Sequence, residues 1–162
     1  MSKIRFTEPN REILARRDSI INDLTRLVDP AGLITSTDEC RAYETDALTA
    51  YRKMPLAVVL PKTTEEVSAV LKYCHDTGVK VVPRGAGTSL AGGAIPSEDA
   101  VVLGLSKMNR VLAVNYDDRF IRVEAGVTNL SVTAVVAENG GYTVLRDGSR
   151  VNHSSASSQS AS

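Results

Sequence analysis

The sequence predicts an α+β fold that contains a βαβ unit, a further small sheet with a hairpin, and an N-terminal helix. Two short apolar runs, residues 56–60 and 79–82, flank a segment whose apolar residues recur at helical spacing. In a later segment, 111–124, apolar and polar residues alternate on the two sides of a polar turn, as they do in β-hairpins. These patterns place short strands and helices in one chain of 162 residues, which is long enough for one domain or two small lobes.

The first predicted element is an amphipathic helix over residues 9–28. Its apolar residues recur near helical spacing, and its arginines fall mostly on the opposite face, as on a solvated surface. The Asp29-Pro30 pair then ends the helix. Residues 33–55 are polar and weakly periodic, so we assign residues 1–55 to an N-terminal helix and a lead-in segment.

The βαβ unit begins with a buried strand at 56–60, which Pro61 ends. Thr63 and Glu66 then form a capping box, in which the hydroxyl accepts from a backbone N–H and the glutamate reaches back. Gly78 is the expected C-terminal stop of this helix. The strands on either side are expected to be parallel. The helix residues expected to be buried are Val67, Val70, Leu71 and Cys74.

The later part of the chain predicts more strands and one more helix. Residues 100–105 form another apolar strand, and the hairpin over 111–124 turns at Asp117-Asp118. Thr128 or Asn129 is expected to cap the final helix. The apolar positions expected to define this helix are Leu130, Ala134, Val135 and Ala137.

Composition excludes several classes of function. Lys and Arg number 19, as do Asp and Glu, so the near-zero net charge argues against nucleic acid as a main partner. There is no Trp, and five Tyr with two Phe make a base-stacking surface improbable. No apolar run approaches the roughly 20 residues that span a bilayer, and the N-terminus lacks a secretory apolar core. We therefore expect a cytoplasmic protein without a membrane span.

The residue types that often carry catalysis or bind metals do not form a constellation in this sequence. Cys40 and Cys74 lack metal-ligand spacing, and we expect buried thiols rather than a disulfide. His75 and His153 are isolated and are expected at the surface. We therefore assign no catalytic residue and no metal ligand.

The most informative segment is the glycine-rich run 83–96, which follows directly on the strand at 79–82. Glycine permits positive φ and close approach of a ligand, and successive N–H groups in such loops form anion-binding nests. Arg84 adds a positive charge at the mouth of the loop. The segment also carries two hydroxyls and four glycines: Thr88, Ser89, Gly85, Gly87, Gly92 and Gly93.

This loop matches neither of the common nucleotide signatures. It lacks the lysine of a Walker loop, and Leu90 stands where the dinucleotide fingerprint requires its third glycine. Two interpretations are open, a flexible glycine-rich turn and a phosphate-binding loop. The arginine, the hydroxyls and the preceding strand favour binding.

Several motifs in the same order carry a family resemblance. The chain resembles flavoenzymes with the vanillyl-alcohol-oxidase / para-cresol-methylhydroxylase (VAO/PCMH) type of FAD-binding domain. Within that fold it is similar to the FAD-linked subunit of bacterial glycolate oxidase and to D-lactate dehydrogenases. The resemblance covers roughly Asn10 to Tyr142. It rests on 43–51, 58–62, the glycine loop, 105–110 and 124–129.

The resemblance implies FAD as cofactor and an oxidoreductase of 2-hydroxy acids such as glycolate or D-lactate. Pro61 would lie near the adenine end, or it serves only as a strand stop. Arg84 would pair with phosphate, or it only braces the loop. The diphosphate would be held by the amides of Gly85, Ala86, Gly87, Thr88 and Ser89, with Gly92 and Gly93 permitting close approach.

The resemblance ends after Tyr142, so residues 56–142 are interpreted as the first part of an FAD-binding domain and 143–162 as a divergent tail. The tail is rich in small polar residues and is expected to be disordered. It is either an ordinary flexible terminus or the sign of truncation. In the family, the substrate-binding residues lie in the second half of the FAD domain and in a cap domain.

Three functions therefore stay open from the sequence. The chain represents the FAD-binding part of an oxidoreductase, for which the small 2-hydroxy acid is a partner only in a complete enzyme. Alternatively, it is a truncated, non-catalytic remnant or binding module whose flavin site a partner chain completes. The last interpretation is a structural α+β domain whose loop happens to be glycine-rich.

Overall fold

The computed structural model of the chain describes residues 7–137 and, in two short strands, residues 142–144 and 151–153. The chain divides into two compact units, 1–108 and 109–162. The first unit contains the larger sheet and the glycine loop. Among the described residues, no helix is both long enough and apolar enough to cross a membrane.

The N-terminal segment forms two short helices rather than the single helix predicted over 9–28. Helix α1 covers Arg11–Ala15 and α2 covers Arg17–Leu24, with a break at Arg16, where φ is −96° and ψ is 9°. The Arg16 N–H donates to Ile13 O at 3.1 Å, a tighter bond than the α-helical one. Both helices still bury one stripe, which contains Ile13, Ile20 and Leu24.

The lead-in segment contains short elements that the sequence analysis did not predict. A 3₁₀ turn at Pro30–Gly32 precedes strand β1 (Leu33–Ile34), helix α3 (Thr37–Cys40) and a second 3₁₀ turn at Arg41–Tyr43. Elements of two to four residues are too short for a hydrophobic period to develop.

A four-stranded sheet forms the centre of the first unit. Its strands β1, β2 (Ala57–Val59), β4 (Ala100–Gly104) and β3 (Lys80–Arg84) lie in that spatial order. Strand β4 is parallel to both β2 and β3, whereas β1 is antiparallel to β2. The predicted βαβ strands are therefore parallel, but β4 lies between them. All residues of β2 and β4 are buried, as expected for central strands covered on both faces.

Helix α4 (Thr64–Thr77) connects β2 to β3 and begins and ends as predicted. The Thr63 hydroxyl accepts from the Glu66 N–H at 3.2 Å, and the Glu66 carboxylate accepts from the Lys62 N–H at 2.6 Å. Gly78 ends the helix at φ +72°. The predicted burial of Leu71 is wrong, since 44% of its surface is exposed. The stripe follows Val67, Val70 and Cys74, and a residue one position along the helix faces about 100° away.

The core of the first unit consists of two buried clusters around the sheet. Both cysteines are buried free thiols, as predicted. The larger cluster joins the N-terminal helices, α4 and the sheet, and its most enclosed members include Ile20, Leu24, Val59, Val70 and Val101. The smaller cluster comprises Cys40, Val58, Leu60 and Val102.

The second unit contains the predicted hairpin, with β5 (Val111–Asn115) antiparallel to β6 (Phe120–Val123). Helix α5 (Asn129–Ala137) follows, and the Thr128 hydroxyl caps it by accepting from the Ser131 N–H at 3.2 Å. The predicted helix is confirmed and includes all four of the apolar positions that defined it, but 79% of Leu130 is exposed, and the buried residues are Val132 and Val136. The helix is apolar nearly all round, so its sequence does not single out one stripe.

Two short strands lie in the tail that the sequence analysis expects to be disordered. Strand β7 (Tyr142–Val144) pairs antiparallel with β8 (Val151–His153). This pairing contradicts disorder for the tail residues that it includes. The expectation for residues 145–150 and 154–162 lies outside the described residues.

Candidate functional site

The glycine loop leaves the sheet at the carboxyl edge of its parallel strands. Strand β3 ends at Arg84, which pairs with Gly104 of β4, and Leu105 N–H donates to Arg84 O at 3.1 Å. Pro61 follows β2 at the same edge, two strand spacings away, or roughly 10 Å. This edge is where open α/β sheets bind their ligands.

Pro61 itself is fully buried, which suits its role as the stop of β2. Its predicted position near an adenine ring stays a prediction, as do the roles of the loop residues. The structure brings Pro61 and the loop to one edge of the sheet, because β2 and β3 both run parallel to β4.

Two glycines of the loop have left-handed backbone conformations. Gly87 has φ +71° and Gly92 has φ +75°, and both are half-buried. A residue with a side chain is strained at such angles, so glycine is required here for conformational reasons. The remaining predicted loop residues are exposed: Gly85, Ala86, Thr88, Ser89 and Gly93.

Arg84 is held against the loop by contacts on several sides. Its Nη1 donates to Thr45 O at 2.7 Å, and its guanidinium carbon lies 5.5 Å from the centre of the Tyr43 ring. A Cβ atom on Gly87 would clash with this guanidinium. Arg84 therefore braces the loop, and the guanidinium has further N–H donors with which it could bind an anion.

The lead-in segment holds the far side of the loop. Ala47 N–H donates to Ser89 O at 3.1 Å, and a Leu48 methyl lies 3.6 Å from where a Cβ on Gly92 would stand. This segment carries part of the family resemblance, but its sequence predicts no role for it in the site. A polar, aperiodic stretch that carries a family motif is a signal that could have indicated a role in the site.

A second feature that the sequence analysis missed lies at the end of the loop segment. The side chain of Asp99 is 1% exposed and accepts from Lys80 Nζ at 2.8 Å, Ser97 Oγ at 2.6 Å and Asn10 N–H at 2.8 Å. Burial raises the pKa of Asp99, but these three hydrogen bonds outweigh it and lower the pKa to about 2. Asp99 thus fixes the end of the loop segment to β3 and to the start of α1.

In the second unit, one ion pair joins the two ends of the hairpin. Arg110 Nη2 and Nε donate to the Glu124 carboxylate at 2.6 and 2.9 Å, and the Arg110 N–H donates to the same group at 2.8 Å. These bonds lower the pKa of Glu124. The pair joins one residue from each of two resembling motifs, 105–110 and 124–129.

The exposed loop residues at this edge of the sheet carry backbone N–H groups and two hydroxyls, and the Arg84 guanidinium lies beside them. Groups of these kinds can bind an anion. In the described part of the chain, no cluster of His, Cys, Asp or Glu could hold a metal ion. Parallel strands that lead into a glycine loop with left-handed turns fit a nucleotide diphosphate, because glycines let such a group approach the backbone.

The fold and the loop thus define a nucleotide-binding α+β domain of the VAO/PCMH type. The chain belongs to the family of FAD binding domains, whose model matches residues 55–155. FAD is the cofactor of this domain. The match continues past Tyr142, where the sequence analysis ended the resemblance.

Curated relatives and solved structures agree with this family. The chain is 42% identical over 126 residues to the glycolate oxidase subunit GlcD of Escherichia coli (strain K12), covering 78% of this chain and 25% of that protein. It is 40% identical over 111 residues to a D-lactate dehydrogenase of Archaeoglobus fulgidus, covering 68% and 24%. The crystal structure of p-cresol methylhydroxylase with substrate bound has the same fold, with a TM-score of 0.69 at 21% identity, over 81% of this chain and 26% of that one.

These relatives confirm the predicted resemblance and fold class. The chain spans about a quarter of the length of the curated relatives that it matches.

Proposed function

We propose that this chain binds FAD through the loop from Arg84 to Gly93, as the FAD-binding part of an oxidoreductase acting on a small 2-hydroxy acid such as glycolate or D-lactate. The observation that carries the proposal is the exposed glycine loop at the carboxyl edge of the sheet, with two left-handed glycines and a braced guanidinium.

The loop residues have different roles in this proposal. Backbone N–H groups bind the diphosphate oxygens, while the left-handed glycines turn the chain so that successive N–H groups converge. Arg84 contributes positive charge, and Pro61 lies towards the adenine end. The amides assigned to the diphosphate are those of Gly85, Ala86, Gly87, Thr88 and Ser89, and Gly92 and Gly93 permit close approach.

When bound, the flavin supplies the redox chemistry, accepting the electrons that leave a substrate's hydroxyl-bearing carbon. The residues of this chain bind and orient the cofactor. The substrate class is supported by the names of two relatives, a glycolate oxidase subunit and a D-lactate dehydrogenase, since glycolate and D-lactate are both 2-hydroxy acids. We assign no residue here to that acid, and propose that other segments or partner subunits hold it, in the cytoplasm.

Visible absorption of the purified protein tests FAD binding directly. We expect a flavin band that survives desalting, or saturable quenching of flavin fluorescence when FAD is added to apoprotein. A folded protein, judged by circular dichroism, that shows neither signal would contradict the proposal.

The substrate class needs a separate experiment. The chain would be combined with the remaining segments of a relative, and bleaching of the flavin band by glycolate or D-lactate measured without oxygen. We expect bleaching by at least one of these acids. Bound flavin that neither acid reduces would contradict the proposed substrate class while leaving FAD binding intact.

A further inference from the structure

The segment from Tyr43 to Leu48, which we call the strap, contacts the glycine loop at Arg84 and Ser89 and lies beside Gly92. The family match begins at residue 55, so the strap lies outside the matched domain. The contacts are the Tyr43 ring and Thr45 O with the Arg84 guanidinium, and Ala47 N–H with Ser89 O. The Leu48 side chain lies close enough to Gly92 that a Cβ added there would touch it at 3.6 Å.

These contacts order a part of the chain that glycines would otherwise leave flexible. The strap holds the loop at its start and its middle, and it lies beside the later left-handed turn at Gly92. Fixing a loop in one conformation before the ligand arrives removes an entropic cost from binding. The strap is therefore placed to preorganise the loop.

Asp46 lies in the strap between the residues that contact Arg84 and Ser89. It is only 4% exposed, and its Oδ1 accepts from the Leu48 N–H at 2.8 Å. Its Oδ2 has no hydrogen-bond partner among the described residues, although it is buried. A buried polar atom without a partner is destabilising, and more so when it belongs to a charged group.

The chemistry of a carboxylate limits what can bind at this oxygen. An ionised carboxylate accepts hydrogen bonds and cannot donate them. It repels the oxygens of a diphosphate and attracts a hydroxyl or an N–H group. FAD carries both kinds of group, on its sugar portions and on its ring systems.

We propose that the strap forms a second wall of the flavin-nucleotide site, and that Asp46 Oδ2 accepts a hydrogen bond from a hydroxyl or N–H group of the bound cofactor. This inference rests on the proposed function. It assigns a ligand contact to a segment that precedes the matched domain.

The test compares the FAD affinity of the unaltered chain with that of Asp46→Asn, measured by quenching of flavin fluorescence. Asparagine keeps one oxygen for the Leu48 N–H but places a donor where the free acceptor stood. We expect affinity to fall about tenfold, the equivalent of roughly 1.4 kcal/mol. The matched control is Asp38→Asn, which changes an exposed carboxylate of α3 and should leave FAD affinity unchanged.

A second measurement separates a ligand contact from a merely structural role. The thermal midpoint of Asp46→Asn without FAD should be no lower than that of the unaltered chain, since the change removes a buried charge. Titrations with FMN and with ADP should show the loss of affinity only for ligands that carry the donor group. If Asp46→Asn fails to fold, Asp46→Ser supplies the same test, because serine also accepts from a backbone N–H in such turns.

The outcomes are distinguishable. If the unaltered chain binds FAD and Asp46→Asn binds it equally well, the inference is overturned and the proposed function stands. If thermal midpoint and affinity fall together in both variants, Asp46 is structural and the inference is overturned. Failure of the unaltered chain to bind FAD contradicts the proposed function itself.

Discussion

Gly78 and Gly87 have almost the same backbone conformation, with φ of +72° and +71°, but they lie in different surroundings. Gly78 ends helix α4, and a Cβ there would meet nothing within 4 Å. A Cβ on Gly87 would clash with the guanidinium of Arg84. A left-handed glycine thus ends a helix in one place and permits close packing in the other.

The difference shows that positive φ alone does not indicate a binding loop. At Gly78 the requirement is conformational and local, as at many helix ends. At Gly87 the same conformation is combined with a close neighbour that is charged and tied to the strap. The substitutions below test whether this second requirement is what distinguishes the loop.

The largest effect is expected for Gly87→Val. A β-branched residue is strained at positive φ and its side chain would displace Arg84, so we expect FAD affinity to fall at least ~100-fold, about 2.7 kcal/mol. Fluorescence titration measures the affinity. Gly78→Val is the matched control, since it imposes similar backbone strain of roughly 1–3 kcal/mol away from the loop and should still bind FAD. Full FAD retention by Gly87→Val would show that the loop assignment is wrong.

The next effect concerns the end of the loop segment, where Asp99 is anchored. The pKa of Asp99 is about 2 in the folded protein, against about 3.9 in an unfolded chain. Its contribution to the free energy of unfolding is therefore complete above pH ~4 and is lost as pH falls towards ~2. We expect this loss to be roughly 2 kcal/mol.

Urea unfolding of the unaltered chain and of Asp99→Asn between pH 2 and 7 measures this effect. The variant should be less stable at pH 7 and should show a smaller loss of stability below pH 4. Asp18→Asn, which changes a fully exposed carboxylate, serves as the control. Parallel pH profiles for Asp99→Asn and the unaltered chain would contradict the anchoring role.

A smaller effect tests the contact between Gly87 and Arg84. Gly87→Ala should destabilise the chain less when Arg84→Ala has already removed the guanidinium, with a coupling of about 1 kcal/mol. Gly78→Ala combined with Arg84→Ala should be additive within about 0.5 kcal/mol. Denaturant unfolding of the two double-mutant cycles measures both values. Equal coupling in the two cycles would remove the distinction between the glycines.

The smallest effects are expected at Gly85 and Gly93. Neither has a positive φ, and a Cβ on either would meet nothing within 4 Å, so alanine there should change stability by no more than about 0.5 kcal/mol. FAD affinity should nevertheless fall for whichever glycine the diphosphate approaches. Unchanged affinity in both variants would mean that, of the four loop glycines, the diphosphate approaches only Gly87 and Gly92 closely.

Much of the fold could be predicted because strong local signals determine it. The capping box at Thr63 and the stop at Gly78 specify α4, and the apolar runs specify β2, β3 and β4. The break at Arg16 has no comparable signal, because both short helices keep the same buried stripe. Leu71 and Leu130 have apolar side chains, and only tertiary packing decides that they are exposed.

The candidate site could be predicted only in part, for a related reason. The glycine loop is contiguous in sequence, so its composition indicates a site directly. Asp46 is 38 residues before Arg84, and Asp99 is partnered by Lys80 and by Asn10. Contacts across such separations depend on the order of strands in the sheet, which the sequence pattern does not specify.

The position of β4 has a consequence for how the chain folds. β2 and β3 both pair with β4, which comes after them in the sequence, and the glycine loop is part of the connection that brings β4 into place. During synthesis, the first two strands therefore leave the ribosome before their common neighbour exists. Because β4 completes both pairings, we expect the amide protons of β4, and those with which β2 and β3 bond to it, to become protected from exchange with solvent in a single late step.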